Sequence, residues 1–113
     1  MSSFHVLVHP EALGDIERNT DWWADNHDSV QALSWYENAI RSIHRLKRFP
    51  ASHPLAAEHG DFSFELRELL FGPGSRPSFR ALFVIRGDTV HVLAIRRAAQ
   101  DRFTRRSLPD DFQ

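Results

Sequence analysis

The stretch from Glu65 to Arg97 constrains the fold of this chain most strongly, because it is apolar and is interrupted by glycine and proline only between its segments. Its content of Val, Ile, Leu and Phe favours β-strands, and the interruptions divide it into three: ELRELLF, SFRALFVIR and TVHVLAIRR. We expect these strands to form a small antiparallel sheet that the rest of the chain covers.

A tight turn joins the second and third strands at Arg86-Gly87-Asp88-Thr89. Glycine at the first central position of a two-residue loop is what a type II′ hairpin needs, because that position has a positive φ. The sequence therefore predicts an antiparallel hairpin here.

The second strand presents two different faces. Alternate side chains of a strand point to opposite sides of the sheet. The wholly apolar face is expected to meet the core and carries Phe79, Ala81, Phe83 and Ile85. The other face is apolar in the middle and cationic at both ends, with Arg80, Leu82, Val84 and Arg86. We expect this second face to be only partly covered and to carry the function.

A strand and two helices are predicted before the sheet. Residues 4–8 are a short apolar strand, and Pro10 suits the first turn of a helix that runs to about residue 26. Trp22 and Trp23 are adjacent on this helix and cannot share a face, so one of them is expected to be exposed.

The second helix is predicted to begin at Asp28, because Gln31 follows three residues later in the pattern of a capping box. It is expected to end at Phe49-Pro50. Its apolar residues recur at helical spacing and are expected to be buried: Leu33, Tyr36, Ala39, Ile40, Ile43 and Leu46.

The predicted order β-α-α-β-β-β makes an α+β fold with two layers, in which an N-terminal strand and a helical hairpin pack on a small antiparallel sheet. Residues 50–64 have no clear period and are expected to form a loop. We assign residues 1–100 to one domain and 101–113 to a polar, partly ordered C-terminal tail.

Composition excludes several classes of protein. The chain has 113 residues and no cysteine, so a thiolate nucleophile, a disulfide framework and a zinc–thiolate site are excluded. No apolar run is long enough for a membrane-spanning helix, and residues 1–4 do not open a secretory signal, so we expect a soluble cytoplasmic protein.

Charge is distributed unevenly along the chain. Residues 1–40 contain seven acidic side chains and one basic one, whereas residues 66–106 contain nine arginines and three acidic side chains. This asymmetry favours an anionic partner for the second half of the chain.

Several segments together resemble the RelE/ParE superfamily of type II toxin–antitoxin toxins. The resemblance covers about residues 4–101 and rests on the order of five motifs: 9–16, 46–50, 66–69, 79–83 and 90–97. It implies a toxin whose helices pack on a twisted sheet. It also implies a cognate antitoxin whose C-terminal segment wraps and neutralises the toxin.

The resemblance leaves two mechanisms open. RelE-like toxins cleave mRNA in the ribosomal A site, whereas ParE-like toxins poison DNA gyrase without hydrolysing nucleic acid. Many cleaving members have a histidine where this chain has Arg97, and a catalytic Tyr or His near the C-terminus. No Tyr or His follows His91 here. A ParE-like action on gyrase is therefore preferred, ribosome-dependent mRNA cleavage is the alternative, and a nontoxic binding protein of the same fold is a third hypothesis.

The candidate site residues are Arg67, Arg80, Arg97 and His91, as target contacts, phosphate-binding groups or catalytic groups. A guanidinium binds phosphate oxygens bidentately, but it stays protonated and is a poor proton shuttle. Strand parity places His91 on the same face as Arg97. The alternative is that the arginines form internal ion pairs or a solvated rim, and that His91 is a structural strand residue.

Three further expectations complete the interpretation. No His-x-x-x-His pair occurs on a predicted helix, so neither a metal nor another cofactor is expected. Other groups that titrate are Glu58, His59 and Glu68. Charge reversal at Arg80 or Arg97 is expected to abolish action on the target and to leave the fold intact.

Overall fold

In the computed structural model, which describes residues 3–73, 76–98 and 102–113, the main elements follow the predicted β-α-α-β-β-β order. They are β1 (His5–Val8), α1 (Pro10–Asn26), α2 (Ser29–His44), β2 (Arg67–Phe71), β3 (Phe79–Arg86) and β4 (Thr89–Arg97). Both helices pack on one face of the sheet, so the predicted α+β class is confirmed.

The four strands lie in the order β1-β4-β3-β2. The pairings of β2 with β3 and of β3 with β4 are antiparallel, as expected. The N-terminal strand β1 instead runs parallel to β4, so the sheet is mixed. The chain between these two strands contains both helices, β2 and β3, so it is long enough for β4 to return parallel to β1.

The β3–β4 hairpin has the predicted turn. Gly87 has a φ of 60°, whereas no positive φ occurs at Asp88. A positive φ at only the first central residue distinguishes a type II′ turn from a type I′ turn.

Both helix starts are where the sequence predicts them. Pro10 is the first residue of α1, and the His9 side chain accepts a hydrogen bond from the backbone N–H of Glu11. Asp28 caps α2 by accepting a hydrogen bond from the backbone N–H of Gln31 over 2.8 Å. The α-helical part of α2 ends at His44, earlier than expected, and a short 3₁₀ turn follows it.

The core between the helices and the sheet contains the predicted apolar face of β3. Trp35 lies in this core at 1% exposure, with its ring edge-on to Phe79 and tilted against Phe71. Aromatic side chains bury the most apolar area per residue, so the position of Trp35 dominates how α2 is rotated about its axis.

The rotation of α2 differs from the prediction for three residues. Leu33, Tyr36 and Ile40, which are predicted to be buried, are exposed. Ala32 and Trp35 are buried in their place. The other predicted core positions of this helix are buried as expected: Ala39, Ile43 and Leu46. Turning Trp35 inward moves its neighbour Tyr36 by about 100° around the helix and out of the core.

Asp15 of α1 ties the first helix to the sheet beyond the end of β1. Its carboxylate accepts hydrogen bonds from the backbone N–H of Ile95, over 2.9 Å, and from the guanidiniums of Arg96 and Arg18. β1 ends at Val8, and past this point none of the described strands pairs with β4 on this side. The carboxylate therefore accepts the hydrogen bond that the backbone N–H of Ile95 would otherwise donate to a neighbouring strand.

β4 contains a bulge that reverses its alternation. Leu82 pairs with Ala94 and the next residue, Phe83, pairs with Val92, so Leu93 is an extra residue in β4. After the bulge, Ile95 faces the helices, on the side opposite to the one that simple alternation assigns.

A second apolar core covers the other face of the sheet, which the sequence predicts to be only partly covered. Its buried members come from the loop, the strands and the C-terminal segment: Ala56, Leu66, Leu82, Val84, Leu93, Ala94, Phe103, Leu108 and Phe112. The prediction of a polar, partly ordered tail is therefore wrong for residues 102–113, because three apolar side chains of that segment are buried here. The division of the chain at residue 100 stays a prediction.

Candidate functional site

The four predicted site residues do not come together. Arg80 and His91 lie on the face with the second core, whereas Arg97 lies over the ring of Trp22 on the helix side, with 5.7 Å between its guanidinium carbon and the ring centroid. The prediction that His91 and Arg97 share a face is wrong, because the bulge at Leu93 lies between them.

Arg80 is a buried member of an ion pair rather than an exposed phosphate ligand. It is 6% exposed, and its two terminal nitrogens donate to the two carboxylate oxygens of Glu58 over 2.7 and 2.5 Å. Glu68 accepts a further hydrogen bond over 3.2 Å. The internal ion pair, the alternative considered for this arginine, is what the structure contains.

Glu58 is the centre of this cluster and is 2% exposed. Besides Arg80, it accepts a hydrogen bond from the backbone N–H of Phe103 over 2.9 Å. Hydrogen bonds from Arg80 lower the pKa of Glu58 to about 2, even though burial acts in the opposite direction. The hydrogen bonds to Glu58 in turn raise the pKa of Arg80. A carboxylate with such a low pKa is a weak base, so Glu58 is not suited to remove a proton at neutral pH.

Arg67 supports the loop that precedes β2. Its guanidinium donates to the carbonyl oxygen of His53 over 2.7 Å and to that of Ala51 over 3.3 Å, and it pairs with Glu65 over 3.1 Å. The guanidinium N–H groups of Arg67 that the phosphate-binding hypothesis assigns to a target therefore already donate to backbone carbonyls.

His91 is half-buried under the C-terminal segment. Its ring meets that of Phe112 edge-on, with 5.1 Å between the centroids. Burial lowers the pKa of His91, and the charge of Arg86 lowers it further. The imidazole is therefore neutral at neutral pH and packs against an aromatic ring, which matches the structural alternative for this residue.

The second face of the sheet is thus closed by packing and not open as a cationic working face. Phe103 and Phe112 lie on it, and the guanidinium of Arg86 sits 4.0 Å from the centroid of Phe112. The signal for this closure was present in the sequence as three apolar residues in the last eleven, but their spacing fits neither a helix nor a strand.

Three large apolar side chains at helical spacing stay exposed on α2. We call Leu33, Tyr36 and Ile40 the α2 strip; they are 57%, 43% and 39% exposed. An open groove of about 460 Å³ runs beside the strip at Tyr36 and Ile40 and is bordered by Arg41. Contiguous exposed apolar side chains of this kind mark surfaces that bind a partner.

Other observations bear on the class of site. Trp22 is 42% exposed and Trp23 is half-buried, so the expectation that one of the two is exposed is confirmed.

Within residues 3–73, 76–98 and 102–113, no three His, Asp or Glu side chains cluster closely enough to hold a metal ion. In the same ranges, no helix has the length and hydropathy that a membrane span requires.

Comparison with known proteins supports the fold. The α+β fold of the chain matches that of a chain in a solved structure. The solved structure in question is described as the chromosomal ParDE TA system from P. aeruginosa; one of its chains superposes with a TM-score of 0.70 at 17% identity. The match covers 84% of this chain and 96% of that chain. No protein-family model matches the sequence, and no curated protein matches it either. At this identity the likeness shows a shared fold, in agreement with the RelE/ParE resemblance of the sequence.

Proposed function

We propose that this protein is the toxin of a type II toxin–antitoxin pair and inhibits growth by acting on DNA gyrase without hydrolysing nucleic acid. The observation that carries the proposal is the superposition on a chain of a ParDE system over 96% of that chain's length. The likeness spans nearly the whole of that chain, so it supports the proposal by analogy of fold, and the experiments below test the function itself.

The arrangement of the candidate residues favours gyrase over RNA cleavage. Internal cleavage of RNA needs a base, a cation and an acid around one phosphate. Here Arg80 and Glu58 neutralise each other in the interior, and His91 packs against Phe112. A toxin that acts by binding an enzyme needs no such convergence, and Arg97 stays our proposed target contact.

Expression of the protein from an inducible promoter is expected to arrest growth within a few generations. Growth is followed by optical density, and reporter mRNA is followed by primer extension in the same cultures. Purified protein is added to gyrase in a supercoiling assay. Inhibited supercoiling with intact mRNA is the expected result, because the proposed target is gyrase.

Two other results would overturn parts of this proposal. Cleaved reporter mRNA with normal supercoiling selects ribosome-dependent cleavage instead of gyrase. Unchanged growth with soluble, folded protein rejects the toxin and leaves the nontoxic binding protein. Co-expression of the cognate antitoxin that the proposal requires is the control, since an antitoxin restores growth.

We propose that the antitoxin covers the α2 strip. An amphipathic helix in a groove uses apolar anchors at a spacing of three, four and seven residues. Leu33, Tyr36 and Ile40 have this spacing on the toxin side. Arg41 at the border of the groove would meet acidic side chains of the partner.

The double substitution Leu33→Asp, Ile40→Asp is expected to weaken antitoxin binding by about 100-fold or more, because central apolar anchors contribute about 2 kcal/mol or more each. Both side chains are exposed, so the thermal midpoint should change little. Titration calorimetry with the purified antitoxin measures the effect. Gln31→Asp with Ser34→Asp, two exposed positions on the other side of α2, adds the same two negative charges and is the matched control. Equal loss in both variants would show that the negative charge, and not the strip, is responsible.

A further inference from the structure

Four basic side chains and one aromatic ring, all exposed, lie close together in sequence where α2 ends. We call these five residues the α2-end patch: Arg41, Arg45, Lys47, Arg48 and Phe49. All five are exposed, and Phe49 is 73% exposed. A phenyl ring gains nothing from burial in this position, so packing does not account for it.

The backbone of Phe49 is strained. Its φ of 52° and ψ of 46° lie in the left-handed region. Within the described residues it is the one non-glycine with a positive φ. Glycine and asparagine take this conformation readily, whereas a bulky side chain does so at a cost. Phe49 is thus a large apolar residue that is exposed and a bulky residue with a positive φ. Both features are unfavourable for folding, and such a combination is typical of a functional position.

The conformation of Phe49 is fixed from both sides. The carbonyl oxygen of Phe49 accepts hydrogen bonds from the backbone N–H and the hydroxyl of Ser52, over 3.0 and 2.7 Å. Pro50 is buried, and the carbonyl oxygen of Lys47 accepts a hydrogen bond from the backbone N–H of Phe4 over 2.9 Å. The ring therefore projects from an anchored backbone, and little conformational freedom is lost when it binds a partner.

The cations of the patch are available to an anion. In the part of the chain that the structure describes, Arg41, Arg45, Lys47 and Arg48 form no ion pair with a carboxylate. The negative end of the α2 macrodipole accounts for basic residues in its last turn. It does not account for Lys47 and Arg48, which come after the helix, or for Phe49.

We propose that the α2-end patch binds single-stranded nucleic acid, with the cations on successive phosphates and Phe49 stacked on an unpaired base. Cationic grooves with projecting aromatic rings bind single strands without sequence preference, because every base has a face on which to stack. A duplex hides those faces, so the ring favours a single strand. This inference is independent of the proposed toxin function, since binding is measured on the purified protein alone.

Fluorescence anisotropy with labelled oligo(dT) and oligo(U) of about 20 nucleotides tests the proposal at about 50 mM salt, where phosphate contacts are strong. We expect saturable binding to both strands and weaker binding to a duplex of the same length. The logarithm of the affinity should fall with the logarithm of the salt concentration, with a slope of roughly −2 to −3 for three or four phosphate contacts.

Phe49→Gly separates stacking from folding. Glycine takes the left-handed conformation without strain, so the melting temperature should not fall. Affinity for the single strand should nevertheless drop by about tenfold, the order expected for one stacked base. Val30→Ala is the control, because it truncates an apolar side chain that is 75% exposed at the start of α2, outside the patch.

Lys47→Gln with Arg48→Gln should weaken binding and make the salt slope less negative by roughly 1.4, since each phosphate contact to a single strand contributes about 0.7. Arg76→Gln with Arg106→Gln, two exposed arginines elsewhere, makes the same change of net charge as a control. Equal losses in the two double variants would reduce the binding to net charge and overturn the proposal. Unchanged affinity in Phe49→Gly, or no binding by the wild type, would overturn it as well.

Discussion

Replacing Arg80 by methionine lowers the free energy of unfolding by about 3–5 kcal/mol, the range measured when one partner of a buried ion pair is removed. Glu58 is 2% exposed, and without Arg80 its charge would be left with backbone donors, among them the N–H of Phe103, and no cation paired with it in the described part of the chain. Methionine fills a similar volume, so the loss reports the unpaired carboxylate more than a cavity. Urea denaturation followed by tryptophan fluorescence measures the change.

Two further variants make this result specific. Arg106→Met removes an exposed guanidinium and should change stability by less than about 0.5 kcal/mol. Glu58→Leu combined with Arg80→Met should recover much of the loss, because an apolar pair leaves no charge buried. If the Arg80→Met protein is as stable as the wild type but loses most of its action on the target, Arg80 is a functional contact and not a structural residue.

The same ion pair gives stability a dependence on acid pH. Hydrogen bonds from Arg80 hold the pKa of Glu58 at about 2, below its ordinary value of 4.5. Because the folded state has the lower pKa, this contribution is complete above about pH 4.5 and is lost as the pH falls towards 2. The loss amounts to about 3 kcal/mol from a shift of this size. Glu58→Gln should lack this component, so its stability should fall less with acid than that of the wild type.

Arg80 also shows why the sequence predicts the sheet better than the site. The alternation of Phe79, Ala81 and Phe83 is a local pattern, and it identifies the face that meets the helices. The partner of Arg80 lies 22 residues away, in a loop with no periodicity. No local pattern distinguishes an arginine that will bind a phosphate from one that will meet a carboxylate in the interior.

Two errors of orientation have simple physical causes. For α2, the apolar residues on the two sides of Trp35 define competing stripes, and the burial of the indole decides between them. For β4, a single extra residue at Leu93 moves Ile95 and the residues after it to the opposite face. The residues of β4 alone do not indicate the bulge, and those of α2 alone do not indicate the rotation of the helix. Both features depend on the residues that pack against these elements.

These corrections change what charge reversal will report. Reversal at Arg80 is now expected to destabilise the fold, because the guanidinium neutralises Glu58 in the interior. For Arg97, which is exposed and lies over Trp22, the expectation that reversal leaves the fold intact stays a prediction. Of the four candidate site residues, Arg80 is buried, Arg67 and His91 are half-buried, and Arg97 is exposed on the helix side, away from the face that the sequence favours.

Replacing Phe103 by alanine lowers the free energy of unfolding by about 3–5 kcal/mol, as expected when a buried phenylalanine is truncated. Its side chain is 0% exposed and its ring lies 5.6 Å from that of Phe62, centroid to centroid. Its backbone N–H also donates to Glu58, so loosening this residue exposes the buried ion pair to water. Chemical denaturation measures the loss.

The neighbouring Thr104 is exposed, and Thr104→Ala should change stability by less than about 0.5 kcal/mol. The contrast between the two variants decides whether residues 102–113 belong to the folded unit. A tail that only rests on the sheet would make both substitutions neutral. A segment that completes the second core makes one of them severe, because Leu82 and Leu93 would lose the side chain that shields them from solvent.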